Sequence, residues 1–444
     1  MDEIWKLITG EKEQQYETLH GSSRFMTKRE EQDILSRWNK GIVVDGKRRI
    51  SRTKTIHTLI LASTGGGKSV WISANLLKPK GDSYIVTDTS GELYKLTSKY
   101  LEKKGYKILH FNLSQDGAKG LHYNPLAFLK TDSDIQRFSK VLLQAQGLDK
   151  GNDPFWQIST EQLFFVLIKA ILKMPAEQQT LQTLYHLVDL CTADIEQAEG
   201  VLTSAMDDEL YLKFSAFKNY SEKLRTSVLA TASAVLSPLN DSYIQELTSQ
   251  NDLDISLLRK QKTILYIQNS ERDLAHTAFL RNLLLKDIFY NLLAPRGKNE
   301  KRVYAFLDEF SNVYVPDFTT LITVSRKYDL NLICAIQDLQ QLKQNYPNAE
   351  GTILSNFQMK IVLPGLNAES AEQVSRLLGM ATVTSEDKEH QKTTLTARRL
   401  LTADEIRTLS SDEGIMIFSN KLPIKLKMKP WYKSFWIRLK LGMY

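Results

Sequence analysis

Short apolar runs rich in β-branched and aromatic residues recur along the chain, at Thr58–Leu61, Ser83–Thr87, Lys107–Phe111, Thr263–Ile267, Val303–Leu307, Leu332–Ile336, Met359–Leu363 and Gly414–Phe418. Most are followed by stretches with helical spacing. Such alternation predicts a parallel sheet covered on both faces, although the strand order is not legible from the pattern. Between Trp156 and about Ser249 the pattern changes. Leu163–Leu172 is apolar nearly all round, Leu181, Leu184 and Leu187 repeat at helical spacing, and no strand-like run interrupts. An all-α domain inserted into an α/β core is expected. The division is an N-terminal arm or entry segment (1–49), a sheet-forming domain in two parts (50–156 and 250–420), the helical insert (157–249) and a C-terminal tail (421–444).

Composition narrows the class. At 444 residues two cores are expected, and 42% hydrophobic with 25% charged residues excludes a disordered or fibrous chain. No run approaches the ~18–20 apolar residues of a membrane-spanning helix; Leu163–Leu172 is shorter and carries Lys169. Met1-Asp2-Glu3 lacks the basic-then-apolar order of a signal peptide, so a soluble chain is expected. Cys191 and Cys334 stand far apart without metal-ligand spacing, which reads as reduced thiols. The net charge of +7 hints at a polyanionic partner, but seven cations after Glu413, from Lys421 to Lys440, equal the whole excess. The basic character belongs to the tail, with a second local stretch at Lys47–Lys54.

The chemistry is concentrated in a few places. Ala62-Ser63-Thr64-Gly65-Gly66-Gly67-Lys68-Ser69 follows one strand-like run and precedes the helix-like Val70–Leu77. Strand–loop–helix context separates a P-loop from a glycine-rich turn with an incidental Lys-Ser pair. The loop Thr64–Gly67, with Lys68, Ser69 and Val70, is expected to bind a nucleotide. Its glycines turn backbone N–H groups toward phosphate oxygens, and the helix N-terminus adds its positive end. Lys68 would reach the β- and γ-phosphates, and the Ser69 hydroxyl would ligate Mg²⁺.

Val303–Leu307 ends in Asp308-Glu309. Ligands lie beyond the carboxyl ends of parallel strands, so these acids would face the P-loop. Asp308 suits a Mg²⁺ site and Glu309 the base that polarises an attacking water. Gln337, ending the next strand, would sense the terminal phosphate or orient the water, although an ordinary polar strand end reads as well. Arg326 precedes that strand and suits an arginine finger serving a neighbouring subunit; by itself it reads as a surface arginine. ATP and Mg²⁺ are the implied cofactors.

These residues, in order, resemble the type IV secretion coupling proteins, the TraG/TraD-like ATPases of bacterial conjugation. His20-Gly21-Ser22-Ser23-Arg24-Phe25 is similar to the family's entry segment, Asp88-Thr89-Ser90-Gly91-Glu92-Leu93 to its second-strand motif, and Tyr123-Asn124-Pro125-Leu126 to its next landmark. Asp153-Pro154-Phe155-Trp156, the stretch Asp308–Gln340, Leu378-Gly379 and Arg399–Ile406 continue the series. The resemblance implies a RecA-like P-loop domain with an inserted all-α domain that selects substrate. It implies a homo-hexamer when assembled on the cytoplasmic face of the bacterial inner membrane, with a monomer as the alternative for the isolated chain. It would pass relaxase-bound single-stranded DNA, or protein substrates, to the secretion channel.

Two departures stand out. The family usually has Lys where this chain has Ser90. Its members usually begin with membrane-spanning helices, whereas here the entry segment follows Met1 closely, so a separate membrane-anchored partner or a removed anchor is expected. The aromatic–basic segment Trp431–Lys440 suits a membrane surface, a nucleic-acid strand or a packed cap. Two other functions compete: a docking receptor with little hydrolysis of its own, and an FtsK-like double-stranded DNA translocase.

Overall fold

A computed structural model describes residues 19–114, 120–145, 154–310, 313–387 and 392–443. Residues 1–18 of the expected arm and Asp153 of the landmark series lie outside the described residues. The strands are β1 (Leu35–Ser36), β2 (Arg49–Ile50), β3 (Thr58–Leu61), β4 (Ser83–Asp88), β5 (Lys107–Asn112), β6 (Thr263–Gln268) and β7 (Val303–Leu307). They continue with β8 (Leu330–Ile336), β9 (Met359–Val362), β10 (Met380–Asp387), β11 (Lys392–Arg399), β12 (Glu413–Phe418) and β13 (Ile424–Lys427).

Nine of them form one sheet in the order β13-β12-β9-β3-β8-β7-β4-β6-β5. From β9 to β5 every pairing is parallel. The interior strands are largely apolar because both faces are covered: β3, β4, β7 and β8 are buried at every position. Successive side chains divide between the faces. Leu59 and Leu61 join the core shared with the helical region, while Ile60 joins the core under the helix Lys68–Leu76.

The parallel expectation needs one correction. β12 runs antiparallel to β9, and β13 antiparallel to β12. Gly414–Phe418 follows only the short helix Ala403–Arg407, not a full crossover that would return the chain in the parallel sense. β13 closes the edge with Ile424 and Leu426 buried, while Lys425 and Lys427 face outward and pair with Glu413 and Asp412. Those pairs neutralise part of the tail's charge, and the sheet therefore extends past residue 420.

The expected arm also needs correction where it is described. Ile34, Leu35, Ile42, Val43 and Val44 are buried. Asn75 exchanges two hydrogen bonds with the Val43 backbone, and the Trp71 indole donates to the Val44 carbonyl at 2.7 Å. Residues 42–44 are too few for a period to reveal their burial; their backbone is shared between side chains of the P-loop helix and the β2 region, where Ile50 N–H donates to the Ile42 carbonyl and Val44 N–H to the Arg48 carbonyl. The hairpin β10–β11, paired over eight residues, had no counterpart in the sequence reading. It receives the entry segment: Ser22 bridges to Ala381 and Ser23 N–H donates to the Met380 carbonyl.

Between Asn112 and Thr263 the described residues contain helices and no strand. The boundary at 157 falls inside the helix Pro154–Ile171, which packs on the helix Asp132–Ala145. The helical region thus begins before the pattern change at Trp156, because Asp132–Ala145 has the amphipathic spacing of a helix covering a sheet.

Candidate nucleotide-binding site

The carboxyl ends of β3, β8, β7 and β4 lie within about two residues of one another: Leu61 is in register with Ile336, Leu307 with Cys334, and Thr87 with Leu307. The chain beyond each strand therefore emerges on one edge. β8 lies between β3 and β7, which leaves one strand's width between the P-loop and the acid pair.

After β3 the chain turns sharply. Gly65 (φ +73°) and Gly67 (φ +97°) adopt left-handed conformations that side chains rarely take, and Gly66 N–H closes the turn on the Ser63 carbonyl at 3.0 Å. Gly67 begins the helix Lys68–Leu76 with no side-chain cap, so its first amides point into the loop. Lys68 is buried and donates to the carbonyls of Ala62 (3.1 Å) and Ser63 (3.3 Å). Burial lowers its pKa, against the opposing pull of Asp308 and Glu309.

The Ser69 hydroxyl donates to Asp308 Oδ2 at 3.1 Å, across 239 residues of sequence. Burial pushes the Asp308 carboxyl up to about 6; the Ser69 bond opposes that rise and the charge of Glu309 adds to it. Hard oxygen donors so placed suit Mg²⁺, and these two residues would hold it. Glu309 has φ +50°, a left-handed conformation for a non-glycine residue, and such strain concentrates at functional sites. Gln337 accepts from Thr64 Oγ1 at 3.0 Å, so the middle strand's end reaches the P-loop itself. Val70 lines a cavity beside Gly65–Gly67.

Arg326 is not brought to this edge. It lies in the turn Ser325–Tyr328 before β8, whereas Gln337 follows that strand. Seven strand residues span roughly 20 Å, so Arg326 is at the other end of the sheet from its own P-loop. There it is exposed and reaches Gln358 at 3.4 Å. Ser90 is exposed, and its hydroxyl accepts from Glu92 N–H at 3.3 Å, a turn contact. The sequence reading missed Pro364, whose carbonyl accepts from Ser63 Oγ at 3.4 Å. Only the position of β9 beside β3 would have singled it out.

A phosphate-binding loop after a central strand, an acid pair two strands away and a polar strand end between them define a RecA-like P-loop nucleotide-binding domain, here with helices inserted between β5 and β6. Residues 12–443 match the model of the type IV secretory system conjugative DNA transfer proteins, and the chain belongs to that family. Protein VirD4 of Rhizobium radiobacter is 24% identical over 398 residues, covering 85% of this chain and 57% of the relative. The conjugal transfer protein TraG of Escherichia coli is 26% identical over 438 residues, covering 86% and 68%. The chain thus spans a little over half of VirD4. Among solved structures, the bacterial conjugative coupling protein TrwBdeltaN70 superposes with a TM-score of 0.74 at 19% identity, over 92% of this chain and 93% of that one. Another TrwB structure, described as a complex with ADP and Mg²⁺, gives 0.72 at 19% identity over 92% and 94%. No helix among the described residues is long and apolar enough to cross a membrane.

Proposed function

We propose that this chain is the ATP-hydrolysing coupling protein of a bacterial conjugation or type IV secretion system, recruiting relaxase-bound single-stranded DNA or protein substrates and driving them into the channel. The observation that carries the chemistry is the Ser69–Asp308 hydrogen bond, which joins the phosphate loop to the acid pair. Family membership supports the cargo.

The P-loop amides and Lys68 hold the β- and γ-phosphates of ATP. Bound Mg²⁺, held by Ser69 and Asp308, would neutralise phosphate charge. Glu309 takes a proton from water as the water oxygen attacks the γ-phosphorus; the bond to the β-phosphate oxygen breaks, and ADP leaves. Gln337 orients that water. Arg326 serves a neighbour's nucleotide in a homo-hexamer, because its own lies at the opposite end of the sheet. The helical region contributes to substrate selection. The assembly works at the cytoplasmic face of the inner membrane, beside channel components and a membrane-anchored partner.

Hydrolysis measured against protein concentration, with and without single-stranded DNA, tests this reading. A steep rise with concentration, stimulation by DNA and loss in Glu309→Gln are expected. Mixing Arg326→Ala with Lys68→Ala subunits should restore activity. Negligible hydrolysis by the assembled ring, with substrate binding intact in Lys68→Ala, would replace the motor with a docking receptor.

A further inference from the structure

The P-loop accounts for the phosphates of a nucleotide and leaves the base without a partner. Beside Gly65–Gly67 opens a cavity of about 200 Å³. Its walls are Val70 and Ala74 of the P-loop helix, Leu363 and Pro364 beyond β9, and Pro430 and Tyr432 of the C-terminal segment. That volume is below the roughly 300–1,000 Å³ of sites that enclose a whole drug-sized ligand, and it suits one flat heterocycle adjoining the phosphates.

The C-terminal segment is held there by its backbone. Lys429 N–H donates to the Asp45 carbonyl at 2.9 Å. Gly46 (φ +83°) permits the approach, since a Cβ at that position would overlap the Lys429 carbonyl oxygen. The turn Trp431–Lys433 then packs on the helix Lys68–Leu76. Tyr432 remains 46% exposed, so the core does not consume its ring. Phe435 and Trp436, each 69% exposed on the following helix, are not among the residues lining the cavity.

We propose that this cavity takes the base of the bound nucleotide and that Tyr432 positions the base by stacking on it. The proposal rests on the nucleotide-binding reading above. It gives the C-terminal segment a part in the site, as the wall that distinguishes a nucleotide from bare polyphosphate.

Calorimetric titration of the full chain with ADP and with pyrophosphate tests it. Tyr432→Ala should bind ADP about tenfold more weakly, since stacking on a base is worth ~1–3 kcal/mol. Pyrophosphate affinity should not change, and Tyr432→Phe should restore ADP binding. Phe435→Ala should match the parent with both ligands. Parental ADP affinity in Tyr432→Ala overturns the proposal, as does an equal loss for both ligands. If the parent binds neither ADP nor pyrophosphate, the nucleotide-binding reading falls and this proposal with it.

Discussion

The two ends of the parallel sheet treat charge in opposite ways. At the amino end, Arg326 apart, a cluster of cations is paired within the fold. Arg296 and Arg302 share Asp329 at 2.6 and 2.5 Å, and Arg52 pairs with Asp82 at 2.9 Å. Arg259, buried, donates to the carbonyls of Leu292, Lys301, Tyr328 and Asp329 and ties three chain segments together. At the carboxyl end charges of both signs lie near one another, and Lys68 forms its hydrogen bonds with carbonyls. Lys68 falls back on its own loop's carbonyls, Asp308 is pushed up to about 6 by burial, and Glu309 sits at φ +50°. A buried charge that its neighbours compensate only in part costs free energy that a ligand can return. Arg326 aside, the amino end commits these charges to the fold; the carboxyl end leaves its charges available to the phosphate and metal proposed above.

The largest test of that contrast is Lys68→Ala. Hydrolysis should fall by at least about a hundredfold, the scale for losing one preorganised charge in such a site. Thermal denaturation should shift little, since the variant removes a poorly solvated cation. A collapse in stability would erase the distinction between the two ends.

Arg259→Ala should behave in the reverse manner. Four carbonyls lose a charged donor, which costs roughly 2–4 kcal/mol. Denaturant titration measures that loss, and ADP affinity of the folded fraction should stay at the parental value. Weakened ADP binding would show that the ends are not separable.

A third test lies at the junction between sheet and helical region, where the Tyr123 hydroxyl donates to Asp287. Burial pushes the Asp287 carboxyl up to about 7, with the Tyr123 hydrogen bond and then the charges of Arg137 and Lys286 opposing. Its unfolded value is ~3.9. Between those values the folded chain keeps a proton that the unfolded chain has lost. This group's stabilising contribution is therefore complete below about pH 4, declines as pH rises, and is gone above about pH 7. Asp287→Asn should flatten the melting temperature against pH across that window. An unchanged slope would remove Asp287 from the account.

How much was legible follows the length of the pattern. Eight largely apolar runs predicted eight strands of the large sheet, with ends within about two residues, because a strand covered on both faces must be mostly apolar. β13 was visible as alternating Lys and apolar residues. Residues 42–44 were not, because the segment is too short for a period and its backbone is satisfied partly by Asn75 and Trp71 on a distant helix and partly by a single bridge to Arg49. Nor was β10–β11, since Met380–Asp387 is polar at most positions and pairs only with its own hairpin partner and the entry segment.

By itself the sequence determined the phosphate loop. The strand, the glycines, Lys68 and Ser69 are contiguous, and local conformation suffices to build an anion cradle. It also supplied the acid pair and the ordered landmarks of the family. The tertiary structure alone decided what meets that cradle. Strand order placed β8 between β3 and β7, which brings Gln337 to Thr64 and Asp308 to Ser69. The same order set Arg326 at the far end and laid Tyr432 beside Gly65–Gly67. Pairing between strands is non-local, so no spacing along the chain encodes it.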